Sequence, residues 1–225
     1  MKNKSIAIVA AHPDDEILGA GGTLIRHCRS GYDVHCLVLG EGVLSRDASS
    51  KDMQSSLLKN AMEAAKIIGF KKIDFANLPD NAFDTVSLLS VTKIVEKFLN
   101  EVNPHIVYTH HEYDLNVDHR IAFQAVLTAA RPGVYPELEQ LLTFETLSST
   151  EWQRKDFKTF QPNVYVDISS SIDQKIKALA AYTSEVRPYP HPRSLEGIRI
   201  LSKYRGMESG LMAAEAFCEI RRIVR

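Results

Sequence analysis

A chain of 225 residues, 44 % hydrophobic and 24 % charged, is long enough to bury a sizeable core and fits one α/β domain. Its formal net charge of -1, with Lys and Arg scattered along the chain, leaves no electrostatic footprint for nucleic acid or an anionic membrane. No apolar run approaches a membrane span or a signal peptide, and three cysteines, Cys28, Cys36 and Cys218, fit buried thiols of a reducing compartment better than a disulfide framework, so a cytoplasmic location is expected.

Strand and helix patterns alternate from the start. Ser5 to Ala11 reads as a buried strand, Ile17 to Arg29 as a helix ended by Gly31, and Asp33 to Leu39 as a second strand, which makes a right-handed β-α-β opening. Gly40 to Gly42 breaks the regularity, and Ser45 to Lys51 is polar and irregular. A helix follows from about Met53 to Ile68, closed by Gly69, then a strand at Lys72 to Ala76 and a loop with Pro79 and Asn81. The pattern continues with a helix over Ser87 to Val102, a strand over His105 to His110 and a helix over Asp118 to Ala130. Leu141 to Leu147 and Val164 to Ile168 read as strands, and Ser171 to Tyr182 and Leu195 to Tyr204 as helices. Ala216 to Ile223 fits either type, and Trp152 to Pro162 fits neither. The sum is a doubly wound, mostly parallel sheet with helices on both faces, Rossmann-like, in a single domain over residues 1–225.

Two segments stand out chemically. His12-Pro13-Asp14-Asp15-Glu16 directly follows the first strand, and Thr109 to Arg120, rich in His and carboxylates, follows the strand at His105 to His110. Ligands of parallel sheets bind beyond the carboxyl ends of the strands, so two such exits suggest a site assembled from distant sequence. The bland alternative is a capped helix start, with Asp14 and Asp15 accepting backbone N–H groups. His12 and Asp15 sit close enough for one turn to direct both at one ion, and His119 is the natural third ligand. Asp118 is either a carboxylate that orients an imidazole or the helix N-cap before His119. His27, His35 and His105, each isolated, read as structural, while His110 and His111 line the end of the strand.

These residues resemble the PIG-L/LmbE-like zinc-dependent de-N-acetylases. The resemblance rests on Ala11 to Glu16, on Asp118-His119-Arg120, and on a tail from His191-Pro192-Arg193-Ser194 through Arg205-Gly206 to Ala214-Glu215-Ala216-Phe217. It implies that His12, Asp15 and His119 bind Zn2+, that Asp14 is the general base, and that the substrate is a small N-acetyl amino sugar or its conjugate. Nucleotide-linked, lipid-linked and small glycoside forms all remain open. Many members carry a histidine three residues before the last zinc ligand, where it helps stabilise the oxyanion; Asn116 stands there in this chain. An Asn amide donates a hydrogen bond but carries no positive charge, so the task either stays with Asn116 as a neutral donor or passes to His191, Tyr113 or the metal. Arg46 matches in position a loop arginine that members use near the sugar. Arg193, with His191 in the proline-stiffened run Tyr189 to Arg193, is a second candidate for substrate contact. The near-neutral charge is compatible with a homo-oligomer.

The same residues leave two alternatives open. A metal-dependent phosphoesterase also uses paired acids and histidines, although a two-metal site needs more ligands than this set supplies. A non-catalytic metal- or sugar-binding module has no use for a free acid such as Asp14 beside its ligands.

Overall fold

The computed structural model describes residues 4–41, 51–156 and 158–225, with side chains from residue 56 onward in the second of these stretches. Seven strands form one sheet in the order β3-β2-β1-β4-β5-β7-β6. They are β1 (Ser5–Ala10), β2 (Asp33–Gly40), β3 (Lys72–Leu78), β4 (Ile106–His110), β5 (Gln140–Phe144), β6 (Val164–Asp167) and β7 (Ala214–Arg222). Among the described residues six α-helices join them: α1 (Asp15–Arg29), α2 (Lys51–Ile68), α3 (Leu88–Val102), α4 (Val117–Ala129), α5 (Ile172–Ala180) and α6 (Leu195–Ser209). Strands β1 to β5 pair in parallel, and β7 runs antiparallel between β5 and β6.

Period-2 alternation divides the core. Ile6 and Ile8 of β1 face one apolar cluster with residues of α1, α2, α5 and α6, while Ala7 and Val9 face the other with residues of α3 and α4. The expected helices on both faces are therefore present. On the first face α1 lies so close to the sheet that a Cβ on Gly19 would stand 2.1 Å from the Phe144 ring. Glycine there is a packing requirement.

Several boundaries differ from the sequence reading, each for a local reason. Helix α1 begins at Asp15, because the Asp14 carbonyl accepts the N–H groups of Ile17 and Leu18 at 3.0 and 2.9 Å. Strand β5 ends at Phe144 because Thr146 enters a turn, its N–H donating to Thr150 Oγ1 and its carbonyl accepting from Thr150 N. Helix α6 runs on to Ser209 and stops at Gly210, which adopts a left-handed φ of 72°. The ambiguous segment resolves as β7, which pairs antiparallel with both β5 and β6 and buries Ala214 to Phe217, with Phe217 in the first apolar cluster. Among the described residues of Trp152 to Pro162 there is no regular element beyond the end of a 3₁₀ turn at Thr150–Trp152.

The sheet order places β1 beside β4, with β2 and β3 running outward on one side and β5 on the other. That is the switch point of a doubly wound sheet, where the loops leaving the two central strands diverge and open a crevice. The two segments singled out in the sequence leave β1 and β4 at that crevice.

Candidate metal centre

The turn leaving β1 is held in an unusual shape. Asp14 has φ 103°, a left-handed conformation that costs a non-glycine residue of order 1–3 kcal/mol. Two buried hydrogen bonds brace it: Asp14 N–H donates to Glu16 Oε2 at 3.0 Å, and the Tyr182 hydroxyl donates to Glu16 Oε1 at 2.6 Å. Glu16 thus supports Asp14. Although Asp14 occupies the N-cap position, its side chain makes no capping bond, and Asp15 Oδ2 instead accepts the His12 N–H at 2.9 Å. The capped-helix alternative therefore does not account for either acid.

His12, Asp15 and His119 converge. One ligand atom from each lies within 4.8 Å of the others, and Asp15 and His119 are fully buried. His12 Nδ1 and His119 Nε2 each stand 3.3 Å from Asp15 Oδ2. Neither nitrogen of His119 is aligned for a hydrogen bond, and Asp15 Oδ1 has no partner. Unpaired polar atoms at such depth cost free energy unless something fills the space between them. Two imidazoles and one carboxylate are the donor set of a borderline divalent cation such as Zn2+, and His119 Nε2 and a carboxylate oxygen of Asp15 are the atoms left for it to engage. The residues fit a metal.

Each imidazole is backed by a second acid. His12 Nε2 lies 3.0 Å from Asp118 Oδ2 and 3.2 Å from Asp80 Oδ1, and His119 Nδ1 lies 3.1 Å from Asp114 Oδ1. A carboxylate behind a ligating imidazole fixes its tautomer and ring orientation. Asp118 is itself held by the Phe83 N–H at 3.0 Å, and Asp114 receives the hydroxyls of Ser149 and Thr150 and the Asn116 N–H. His12, Asp80 and Asp118 form a second group with metal-ligand spacing, sharing His12 with the first.

Charge follows this geometry. Burial opposes protonation of His12, yet its bonds to Asp118 and Asp15 prevail and raise it to about 10. His119 is raised to about 8: burial works against it, and the acids Asp15 and Asp114 outweigh burial. Asp15 falls well below the usual carboxylate range because His119 and His110 overcome its burial. Asp114 drops to about 2 against its burial, drawn down by His119 and by the two hydroxyls. Asp14 goes the other way: burial lifts its carboxyl well above the ordinary range, opposed by the Arg193 guanidinium at 3.1 Å. Two adjacent acids are thus pushed apart, one kept anionic and one able to hold a proton.

His110 is fully buried and stacks on His119 with ring centroids 3.9 Å apart. Its Nε2 accepts the Ala11 N–H at 2.9 Å, and Thr146 Oγ1 lies 3.2 Å from Nδ1. Burial pushes it down to about 3, so it is a neutral brace that ties the ends of β1 and β4 together. His27 and His105 fill the structural places expected of them, against the Tyr108 hydroxyl and the Ser5 N–H.

The remaining sequence candidates are distributed as follows. Asn116, not Asp118, caps α4: its Oδ1 accepts the Asp118 N–H at 2.8 Å and its Nδ2 donates to Asn81 Oδ1 at 3.3 Å. Arg193 reaches into the centre, with Nη1 near Asp14 and 3.4 Å from Glu185, and Nε donating to Ser148 Oγ at 2.7 Å. His191 stands beside it, its Nδ1 accepting the Arg193 N–H at 3.1 Å. Arg46 lies outside the described residues. Sequence reasoning gave no role to Asp80, Asp114 or Glu185. Asp114 sat inside the second motif, and Asp80 follows β3, where the strand-end rule could have flagged it.

Comparison with known proteins places the chain in a family. Residues 7–130 match the PIG-L family, described as GlcNAc-PI de-N-acetylase. The diacetylchitobiose deacetylase of Thermococcus kodakarensis is 26% identical over 219 residues, which are 94% of this chain and 81% of that protein. The 4-oxalmesaconate hydratase of Pseudomonas putida is 27% identical over 191 residues, 78% of this chain and 72% of its own length. Among solved structures, the conserved protein TT1542 of Thermus thermophilus superimposes with a TM-score of 0.79 at 25% identity, covering 98% of this chain and 96% of that one. With the matched stretch running from β1 through α4 and carrying His12, Asp14, Asp15 and His119, the chain belongs to the PIG-L family of de-N-acetylases.

Proposed function

We propose that this protein is a zinc-dependent amidohydrolase that removes the acetyl group from the nitrogen of an amino sugar or sugar conjugate, releasing acetate and a free amine. The observation that carries the reading is the convergence of His12, Asp15 and His119 from two remote strand ends, with a proton-holding acid, Asp14, beside Asp15. His12, Asp15 and His119 would hold a divalent cation, which would supply Lewis acidity toward the attacking water and the amide oxygen. Asp14 takes one proton from the attacking water and returns it to the nitrogen as the C–N bond breaks, so the amine leaves neutral, and the acyl carbon departs as acetic acid, which gives up its proton to solvent as acetate. Arg193 keeps the anionic form of Asp14 accessible against the pull of burial. Asp118 and Asp114 orient the two imidazoles, and the Asn116 amide is committed to the α4 cap and Asn81, where it fixes the position of His119.

Among the described residues no helix is long and apolar enough to cross a membrane, and the three cysteines are free. Free thiols fit a reducing compartment, and we place the enzyme in the cytoplasm. The hydratase relative favours a second reading, in which the same base delivers a water proton during addition to a carbon–carbon double bond.

The experiment is an acetate-release screen of zinc-loaded protein over N-acetylated amino sugars and their nucleotide-linked forms. Stoichiometric acetate and free amine from one of them is expected, with metal content near one ion per chain. Hydration of an unsaturated dicarboxylate without acetate from any amide would overturn the proposal in favour of the second reading.

A further inference from the structure

Amide cleavage places negative charge on the former carbonyl oxygen, and a donor aimed at that oxygen usually makes the largest single contribution to the rate. The protein's own donors near the crevice are mostly spoken for. The Asn116 amide is committed to the α4 cap and to Asn81. Tyr113 lines a cleft with Gln153, Arg154 and Asp156, none of them at the metal centre, and its hydroxyl accepts from Lys158 Nζ at 2.6 Å. The His191 ring is held by the Arg193 N–H on Nδ1 and by an edge contact with Trp152, ring centroids 5.9 Å apart.

Arg193 is placed differently. Its guanidinium is fixed at two of three nitrogens: Nε donates to Ser148 Oγ at 2.7 Å, and Nη1 lies 3.1 Å from Asp14 Oδ2 and 3.4 Å from Glu185 Oε2. Both supports outside the base are themselves held. Glu185 is buried and accepts the Ser184 hydroxyl at 3.0 Å. Ser148 sits in a left-handed conformation, φ 65°, with its N–H bound to Glu151 Oε1 at 2.6 Å, a strained pose that fixes where its hydroxyl points. The third nitrogen, Nη2, has no hydrogen-bond partner among the described residues, and 22% of the side chain remains open to solvent.

A planar guanidinium that gives Nη1 to the Asp14 carboxylate carries Nη2 alongside it. Asp14 takes the proton of the water that attacks the acyl carbon, and the oxygen that becomes anionic is attached to that same carbon, so Nη2 is within reach of it. The charges also exchange at the right moment. Before the reaction the Asp14 carboxylate offsets the guanidinium. As the water oxygen bonds to the carbon, the C=O electron pair moves onto oxygen and the water proton moves to Asp14, so the guanidinium loses one anion and gains another in a single step. Glu185 takes no part in the transfer and keeps the side chain anchored. A contact that strengthens as the base is neutralised favours the transition state over the ground state.

We infer that Arg193, aimed by Ser148 and Glu185, uses Nη2 to hydrogen-bond the oxyanion of the tetrahedral intermediate. This inference rests on the function proposed above.

Arg193→Lys tests it, because an ammonium keeps positive charge beside Asp14 but cannot span two acceptors in one plane. On the amino sugar that releases acetate, kcat should fall about 10²–10³-fold with KM within about threefold of the parent. Binding gives a second readout. Zinc-loaded protein is titrated calorimetrically with glucosamine N-methylphosphonamidate, whose anionic tetrahedral phosphorus imitates the intermediate, and with N-acetylglucosamine. The variant should lose about 10²–10³-fold in affinity for the phosphonamidate and keep its affinity for the N-acetyl sugar. Ser148→Gly, which removes the hydroxyl and suits the positive φ, should lower kcat about tenfold without loss of Tm. Turnover in Arg193→Lys within about fivefold of the parent, equal weakening of both ligands, or an unchanged kcat in Ser148→Gly would overturn the inference. Should the parent release acetate from no amide, the proposed function fails, while the phosphonamidate titration still decides whether Arg193 meets an anionic tetrahedral centre.

Discussion

Two groups of buried charges sit on α1, and they are built in opposite ways. At its N-terminus the His12, Asp15 and His119 cluster leaves Asp15 Oδ1 and both His119 nitrogens without hydrogen bonds. In its middle, Lys175 and Glu215, both nearly fully buried, leave nothing unpaired: Lys175 Nζ donates to Glu215 Oε1 at 2.7 Å and to the Leu18 carbonyl at 2.8 Å. The Glu215 carboxylate also accepts the N–H groups of Gly22 and Thr23 at 2.8 and 2.7 Å, so the ion pair is inserted into the helix's own hydrogen-bond ladder. Fully matched buried charge specifies structure; buried charge with atoms left over is prepared for a ligand. The comparison also explains why Ala214 to Phe217, part of the tail resemblance, accompanies the reactive motifs without holding a reactive group.

The largest effect that sharpens this contrast is on the matched side. Glu215→Ala strands the Lys175 ammonium and two backbone N–H groups, and it should cost about 3–5 kcal/mol in urea unfolding while the folded fraction keeps its zinc affinity. A loss below 1 kcal/mol would mean that the pair is not the structural element described. On the unmatched side, Asp14→Asn should leave metal content at one ion per chain and lower kcat by about 10²–10⁴. Turnover within a few-fold of the parent would remove Asp14 as the base. Asp114→Asn, which replaces the acid behind His119, should weaken zinc binding about 10–100-fold, measured by competition with a chelating dye, and also lower stability by about 1–3 kcal/mol because the buried carboxylate accepts from Ser149, Thr150 and the Asn116 N–H.

The smallest effect concerns His27, a partly buried polar group outside both clusters. Burial, aided by Arg26, lowers it to about 4, so between pH 6.5 and 4 the unfolded chain binds a proton that the folded chain does not. Stability is then fully present above pH 6.5 and falls as the pH drops through this window. The shift corresponds to about 3 kcal/mol in full, reduced to about 1–2 kcal/mol by partial exposure. His27→Gln should flatten the acid limb of the Tm–pH curve by that amount, and an unaltered limb would show that His27 does not set it.

What could be read in advance follows the same division. Alternating apolar runs specified the parallel sheet through β5, because a strand buried on both faces leaves a continuous hydrophobic signal, as Ile6 to Val9 does. Strand β7 was ambiguous since its second half is mixed and half-exposed, and its pairing with β5 and β6 depends on contacts distant in sequence. At the site, His12, Asp14, Asp15 and His119 were legible as motifs clustered at strand ends. Asp80, by contrast, lies in an ordinary Pro-Asp-Asn turn, and only the three-dimensional return of that turn to His12 gives it meaning. Asn116 shows the reverse difficulty: the motif position suggested chemistry, while the adjoining Asp118 N–H needed a cap.

The central claim is that one divalent cation sits among His12, Asp15 and His119. Zinc-edge anomalous diffraction from zinc-loaded crystals tests it most directly, with His119→Ala as the paired control. The account predicts a single strong peak between the His12 and His119 rings and the Asp15 carboxylate, absent in the variant. A peak confined to His12, Asp80 and Asp118, or one unaffected by removing His119, would contradict it.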